Sequence, residues 1–345
     1  MEIVLSEKIC GQTMVCPVCG GKGTSLLREA FDDRYGQPEL FTLVVCDQCG
    51  HVMTAPRLAE SDLGPLYGTY YPRKHVDVED LRREADRAVT RFATLRRWWM
   101  GTDNQGQYSA RPGESVLDVG CGSGLSLLEA QALGAQVRGV EADPNVSRLA
   151  SELNLQIHIG SLFDEPFPGE LFDLVTLNQV IEHVPEPDRV LERLRSRLRP
   201  GGRLVLVFPN VRSFWCRISG VRWINWHVPY HLHHFSREGF AQLAGRCGYR
   251  IRTVRTITPN LWTVLQLRTL RYAVSRGAPS PMWGVAPAAG KGGQSMPAPR
   301  RWVLSTMRRA VFAMLMLPLA VINRFIDALG WGDSLMVELV PGEQA

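Results

Sequence analysis

Between Val116 and Val119 the chain is apolar and β-branched apart from one acid, Asp118, and the run breaks at three glycines on alternate positions, Gly120, Gly122 and Gly124. That pattern predicts a buried strand whose carboxyl end faces something polar. From Leu125 to Leu133 the apolar spacing becomes helical, so the segment reads as strand, glycine turn and helix. Glycine has no Cβ to collide with a ligand and tolerates positive φ, so such a turn lets a ligand approach bare backbone at a helix start. A second unit follows. Gln136 to Val140 predicts a strand ending at Glu141, seventeen residues after Gly124, with Asp143 as N-cap and Pro144 as first residue of the next helix. A carboxylate at the end of a second strand is where ribose hydroxyls are held in nucleoside-binding α/β folds.

Elsewhere, Leu40 to Val45 predicts a strand, and Val76 to Met100 an arginine-rich helix packed over the core by Leu81, Ala85, Ala88, Val89, Phe92 and Leu95. Ser236 predicts the N-cap of a helix from Arg237 to Arg246, which leaves Trp223 to Phe235 on the loop before it. Ile251 to Ile257 and Ser334 to Val340 predict strands. Residues 276–300 hold five prolines and five glycines, the composition of a loop or lid. Trp302 to Leu329 is strongly apolar, with 13 uncharged residues from Ala310 to Ile322 that include Pro318, too short to span a bilayer. A helix packed on the sheet or at a dimer interface is the first expectation for it. The alternative is peripheral membrane contact through 302–329, with Arg300, Arg301, Arg308 and Arg309 meeting anionic lipid.

Composition bounds these elements. At 345 residues the chain can bury a full α/β core and still carry a smaller module, and apolar and charged fractions of 45% and 21% are those of a globular protein. The net charge of +5, from 39 basic against 34 acidic residues, permits a nucleic-acid or membrane partner without arguing for one. Met1 to Cys10 has no basic start and no long apolar run, so a cytoplasmic location is expected. Of the eight cysteines, four form the pairs Cys16-Pro-Val-Cys19 and Cys46-Asp-Gln-Cys49. Each pair sets two thiolates on a tight turn, and together they offer tetrahedral sulfur coordination to a structural Zn2+. The 26 residues between the pairs are more than a zinc ribbon usually has, and His51, next in line, reads as a surface residue.

With these residues in view the chain resembles a class I S-adenosylmethionine-dependent methyltransferase. Val-Leu-Asp118-Val-Gly-Cys-Gly-Ser-Gly resembles that family's first motif and Val-Glu141-Ala-Asp-Pro its second. Ile159-Gly-Ser161-Leu162-Phe163-Asp164 resembles the adenine-side loop, Asn178-Gln179-Val-Ile-Glu182-His183-Val the end of the fourth strand, and Arg199-Pro-Gly-Gly the entry to the fifth. The resemblance implies an α/β fold: a seven-stranded Rossmann-like methyltransferase sheet in the order 3-2-1-4-5-7-6, with a small N-terminal zinc ribbon. It implies an S-adenosyl-L-methionine site made by Asp118, Gly120, Cys121, Gly122, Glu141, Ala142, Ser161, Leu162, Asn178 and Gln179. The expected organisation is a ribbon over 1–60, a helical linker or lid over 61–110, the donor-binding core over 111–260, a Pro/Gly-rich insertion over 261–300, and the apolar helix and last strand over 301–345. The ribbon, with Pro229-Tyr-His-Leu-His-His-Phe-Ser236, is similar to bacterial methyltransferases of sugar and polysaccharide pathways, including sugar C-methyltransferases. Those commonly carry a further carboxy-terminal domain, for which this chain is expected to be too short.

Methyl transfer from a sulfonium is an in-line displacement, so the protein must hold donor and acceptor in contact and accept a proton. The base is expected from His183, beside Glu182, or from Tyr230, His231 and His233 on the loop. If that loop is extended, His231 and His233 share one face and His234 takes the other. A second metal site there lacks an obvious carboxylate or cysteine. Tyr67, Tyr70 and Tyr71 are placed to line a pocket. The expected acceptor is a small-molecule, sugar-like or carrier-linked group, methylated on oxygen or carbon. An RNA methyltransferase using the ribbon for RNA contact is one alternative, though no aromatic-basic signature supports nucleic acid. A non-catalytic ribbon protein with a degenerate core is another, and the intact Asp118, glycines and Glu141 speak against it.

Overall fold

The computed structural model describes residues 14–72, 76–283 and 316–342. The strands are β1 (Gly23–Ala30), β2 (Phe41–Cys46), β3 (Val52–Ala55), β4 (Ser115–Val119), β5 (Gln136–Glu141), β6 (Ile157–Ile159), β7 (Phe172–Asn178), β8 (Leu198–Pro209), β9 (His233–His234), β10 (Tyr249–Ile257) and β11 (Ser334–Pro341). The helices are α1 (Glu60–Thr69), α2 (Val78–Arg87), α3 (Ala93–Met100), α4 (Leu125–Ala132), α5 (Val146–Glu152), α6 (Pro187–Arg195), α7 (Phe214–Ser219), α8 (Arg237–Arg246), α9 (Asn260–Thr269) and α10 (316–328).

Seven strands form one sheet in the order β10-β11-β8-β7-β4-β5-β6. Counted from β4 as the first, this is the expected 3-2-1-4-5-7-6. The five strands from β8 to β6 run parallel and only the β8–β11 and β11–β10 pairs are antiparallel. Parallel strands covered on both faces read as continuous apolar runs, and Leu204 to Phe208 and Leu174 to Leu177 are indeed fully buried. The register pairs Val119 with Val140 and Leu177, and Glu141 with Ile159. The glycine turn, Glu141 and Asn178 thereby reach one edge, where open α/β sheets bind ligands.

The second sheet is antiparallel, β1-β2-β3-β9. Its fourth strand comes from the histidine loop, with Met53 opposite His233 and Val52 opposite His234, so the ribbon is stitched to the core rather than hung from it. Cys16, Val18, Cys46 and Cys49 share an apolar cluster with Phe208, Phe235 and Leu243. This pairing corrects the reading of His51 as a surface residue. It is fully buried, its Nε2 3.0 Å from Nδ1 of His233 and the two rings stacked.

The arginine-rich stretch is two helices, not one. Asp77 caps α2 by accepting from the Glu79 and Asp80 amides at 2.8 and 3.2 Å, and Leu81, Ala85 and Ala88 are buried as expected. A turn over 88–92 then rotates the stripe outward, so Val89, Phe92 and Leu95 are exposed. In their place Arg97 turns inward, donating to the Ala88 carbonyl at 2.7 Å and lying 4.0 Å over the Tyr108 ring. Of the Pro/Gly-rich and apolar stretches, 284–315, including Arg300, Arg301, Arg308 and Arg309, falls outside the described residues. Among those described, no helix is long and apolar enough to cross a membrane.

Candidate active site

The edge expected to hold the donor is built from the glycine turn. Gly120 sits at φ 73°, and a Cβ there would come within 2.4 Å of Val180, so any larger residue strains backbone and packing together. Gly122, at φ 53°, has nothing within 4 Å of where a Cβ would lie: the turn faces open space. Glu141 braces it, one carboxylate oxygen accepting from the Gly122 amide at 2.7 Å and the other from Asp143 at 2.9 Å. Asp118 lies beneath, 2% exposed, its oxygens taken by the hydroxyls of Thr176 (2.6 Å) and Ser126. Burial, against those two hydrogen bonds, pushes its pKa up to about 6, and its place is under the turn.

The remaining residues expected around the donor differ in what they present. The Cys121 side chain is buried, and a Cβ on Gly139 would sit 2.7 Å from its sulfur, so it fills space behind the turn. Ala142 follows Glu141 at the same edge. Ser161 caps the short helix Leu162–Asp164 by accepting from the Phe163 amide at 3.2 Å, and Leu162 is buried. Asn178 accepts from the Gly106 amide at 2.6 Å and donates to Gln107 at 3.1 Å, tying the end of β7 to residues 106–107. Gln179 has φ 57° and a buried side-chain amide nitrogen without a partner among the described residues. Because Glu141 supports the turn through two charge-assisted hydrogen bonds, each worth about 1.5–3 kcal/mol, Glu141→Ala is expected to weaken donor binding on the order of 100-fold by calorimetry. Unchanged affinity would place the donor elsewhere.

The residues expected to act on the acceptor gather at the end of β7. The Glu182 carbonyl accepts from the Leu232 and His233 amides at 2.8 and 3.1 Å, which fastens the histidine loop there. His183 is half-buried, its Nδ1 2.9 Å from the Tyr230 carbonyl and 2.9 Å from the Tyr67 hydroxyl. A carbonyl only accepts, so Nδ1 carries the proton and Nε2 the lone pair. His231 is buried against it, ring centroids 4.7 Å apart, with Nδ1 2.8 Å from the Asn225 carbonyl. Burial, followed by neighbouring positive charge, drives the pKa of His231 and His227 well down. Enclosure likewise pushes His183 down to about 4.

His231 and His233 do not share a face. His233 turns into the ribbon, between His51 and Phe235, because β9 pairs with β3 there. Tyr230 is fully buried, its hydroxyl without a partner among the described residues, and packs edge-on against Tyr35, Tyr67 and Tyr71. The carboxylate thought missing from this corner is Glu182. It is 1% exposed, neither oxygen has a hydrogen-bond partner among the described residues, and burial raises its pKa to about 8. Ligand atoms of Glu182, His183 and His231 lie within 4.8 Å of one another.

The ribbon supplies residues that local pattern did not single out. Asp32 folds the β1–β2 connection by accepting from the amides of Arg34, Tyr35 and Gln37 at 2.9–3.0 Å. That fold sets Tyr35 against His227 and Tyr230 and Arg34 on the Ile224 carbonyl. The only signal in the sequence was the length of the gap between the cysteine pairs. At the other end of the ribbon the four sulfurs lie within 4.8 Å of one another, with Cys16–Cys49 at 3.6 Å and Cys19–Cys46 at 3.4 Å. A tetrahedron with metal–sulfur bonds of about 2.3 Å has edges of about 3.8 Å, so the donor set fits one ion. Burial opposes the Cys46 thiolate, but the Cys49 and Gln48 amides outweigh it and bring its pKa to about 7.

Comparison with known proteins gives the fold and edge geometry a family. A sequence profile described as a methyltransferase domain matches residues 78–254, just over half the chain. A ubiquinone biosynthesis O-methyltransferase of Xanthomonas campestris pv. campestris (strain B100) is 37% identical over 137 residues, 36% of this chain and 56% of that protein. The namesake of Paraburkholderia phymatum is 28% identical over 149 residues, 39% and 64% of the two chains. The chain thus spans between half and two thirds of the length of these relatives. Among solved structures, an S-adenosylmethionine-dependent methyltransferase from Mesorhizobium loti aligns with 66% of this chain and 91% of its own, at 15% identity and a TM-score of 0.39. The chain belongs to the methyltransferase domain family, and its seven-stranded unit is a class I S-adenosylmethionine-dependent methyltransferase domain.

Proposed function

We propose that the chain transfers the methyl group of S-adenosylmethionine to a hydroxyl of a small-molecule acceptor held between the ribbon and the carboxyl edge of the sheet. One observation carries this reading: the buried polar atoms without partners around His183, namely both Glu182 carboxylate oxygens, the Tyr230 hydroxyl and Nε2 of His227. Each such atom costs about 1–3 kcal/mol while unpaired, and an acceptor bearing hydroxyls would satisfy them. Tyr35, Tyr67 and Tyr71 give the corner aromatic walls, suited to a flat ring or to the apolar face of a sugar. The names of the relatives support transfer to oxygen, and the resemblance of the histidine loop supports a sugar-like or carrier-linked acceptor. Labelled methyl transfer to phenols and to nucleotide sugars separates the two.

In this reading Glu141 and the glycine turn hold the donor. Nε2 of His183 takes the hydroxyl proton as the O–CH3 bond forms and the S–CH3 bond breaks, and the donor leaves as the neutral thioether. Enclosure disfavours the imidazolium of His183, so its base form persists in mild acid. The acid limb of kcat/KM is therefore expected well below the ordinary imidazole value of about 6.5, toward about 4. A limb near 6.5 would assign the base to an exposed group. The four ribbon sulfurs are proposed to hold a structural zinc, which their closed shell leaves no open position to make catalytic. A second reading is favoured by the bare Glu182 oxygens: a divalent cation on Glu182, His183 and His231 polarising the acceptor hydroxyl. A kcat that rises with added Mn2+ would support it, and a kcat independent of added divalent ions and of chelator leaves proton transfer to His183 alone.

A further inference from the structure

Helix α9 is inside out. Its four buried residues, Asn260, Thr263, Gln266 and Thr269, are all polar, while Leu261, Leu267 and Leu270 are exposed. The inversion is built in, because every buried group has a partner. Asn260 and Thr263 bond Asn323 of α10 at 2.9–3.1 Å, and Gln266 donates to the Arg222 carbonyl at 2.8 Å and accepts from the Ile224 amide at 2.9 Å. Helix α10 completes the face. It turns Met316, Ala320, Asn323 and Ile326 inward, and its exposed side from Leu317 to Leu329 carries Leu317, Val321, Ile322, Phe325 and Leu329 with no charge among them. Leu317, Val321 and Phe325 are 57%, 55% and 66% exposed. Exposed apolar side chains grouped in this way on two helices mark an interaction surface.

We propose that the α9–α10 face docks on the surface of an anionic lipid bilayer. Charge selects this occupant. Across 211–222, 259–283 and 316–332 the one carboxylate is Asp327, which is paired with Arg324 at 2.7 Å and Thr258 at 2.7 Å. The exposed charged residues of these stretches, among them Arg217, Arg222, Arg268 and Arg271, are all positive. A second copy of the same stretches would offer these arginines no free carboxylate, whereas anionic headgroups neutralise them. On such a surface α10 lies along the interface, with Phe325 and its exposed apolar neighbours in the acyl boundary.

Sedimentation of the full chain with large vesicles tests this. The protein is expected to pellet with vesicles containing phosphatidylglycerol, less with phosphatidylcholine alone, and less as salt rises. The double substitution Val321→Glu, Phe325→Glu changes two mostly exposed side chains. It should lower the bound fraction on the order of tenfold with donor affinity and far-ultraviolet dichroism unchanged. Arg268→Glu with Arg271→Glu should abolish the preference for phosphatidylglycerol. A wild-type chain that stays in the supernatant at low salt overturns the proposal. It then gives the face to a second copy if sedimentation equilibrium finds a dimer that the first double variant dissociates, and to residues 284–315 of this chain if it finds a monomer. Undiminished pelleting of the first double variant overturns it equally.

Discussion

His183→Ala is expected to lower kcat by about 10²- to 10⁴-fold, the range over which a positioned general base acts, while S-adenosylmethionine binds with unchanged affinity. The two effects separate because donor and acceptor sides are held by different elements. The proposed donor cradle rests on Glu141 and the glycine turn, whereas His183, the proposed base, follows β7, its tautomer fixed by the Tyr230 carbonyl. Tyr67 lies between the two sides with its hydroxyl on Nδ1 of His183. Tyr67→Phe should therefore cost far less in kcat than the loss of the imidazole, since the carbonyl still orients the ring. Calorimetry with the donor and labelled-methyl turnover, run on the same preparations, read both quantities. Full turnover in His183→Ala would move the base to another group, with Glu182 the nearest.

Removing the sulfur cluster is expected to have the largest effect on stability. Cys16→Ser with Cys49→Ser should leave the protein without the single equivalent of zinc that mass spectrometry is expected to find in the wild type. Its melting midpoint should fall on the order of 10 °C, consistent with a loss of several kcal/mol at this size. Activity should fall with it. The ribbon is not a detachable handle: β3 carries β9, and β9 continues the loop that presents Tyr230 and His231. Loosening the sulfurs loosens the apolar cluster they share with Phe235, and so the acceptor corner. Zinc-free protein that melts and turns over like the wild type would reduce the cluster to an accessory feature.

The contrast between donor and acceptor sides explains what could be read in the sequence. Asp118, Gly120, Gly122 and Glu141 lie on two consecutive strand–helix units, so their spacing alone brought them to one edge. Glu182 and His183 follow β7 directly and were in view as a pair, but not as part of a triangle with His231. The acceptor corner depends on pairings between distant residues: His51 meets His233 across 182 positions, and Arg34 meets Ile224 across 190. No local periodicity encodes such contacts, which is why His51 looked like a surface residue and His233 like a neighbour of His231. The α2–α3 stretch fails for a different reason. Its apolar spacing is regular, but the turn over 88–92 breaks the phase, and an arginine stacked on Tyr108 takes the inward position. Helix α9 goes further, since its apolar face was never meant for the core.

The claim on which the account stands is that the methyl group goes to oxygen in the corner shared by the ribbon and the sheet. Transfer from S-adenosylmethionine carrying a carbon-13 methyl, followed by nuclear magnetic resonance of the product formed from phenolic and nucleotide-sugar acceptors, reads the new bond directly. A labelled methoxyl group is expected, and His183→Ala should abolish its appearance. A label bonded to carbon or nitrogen, or a methoxyl product that forms equally fast in that variant, would contradict it.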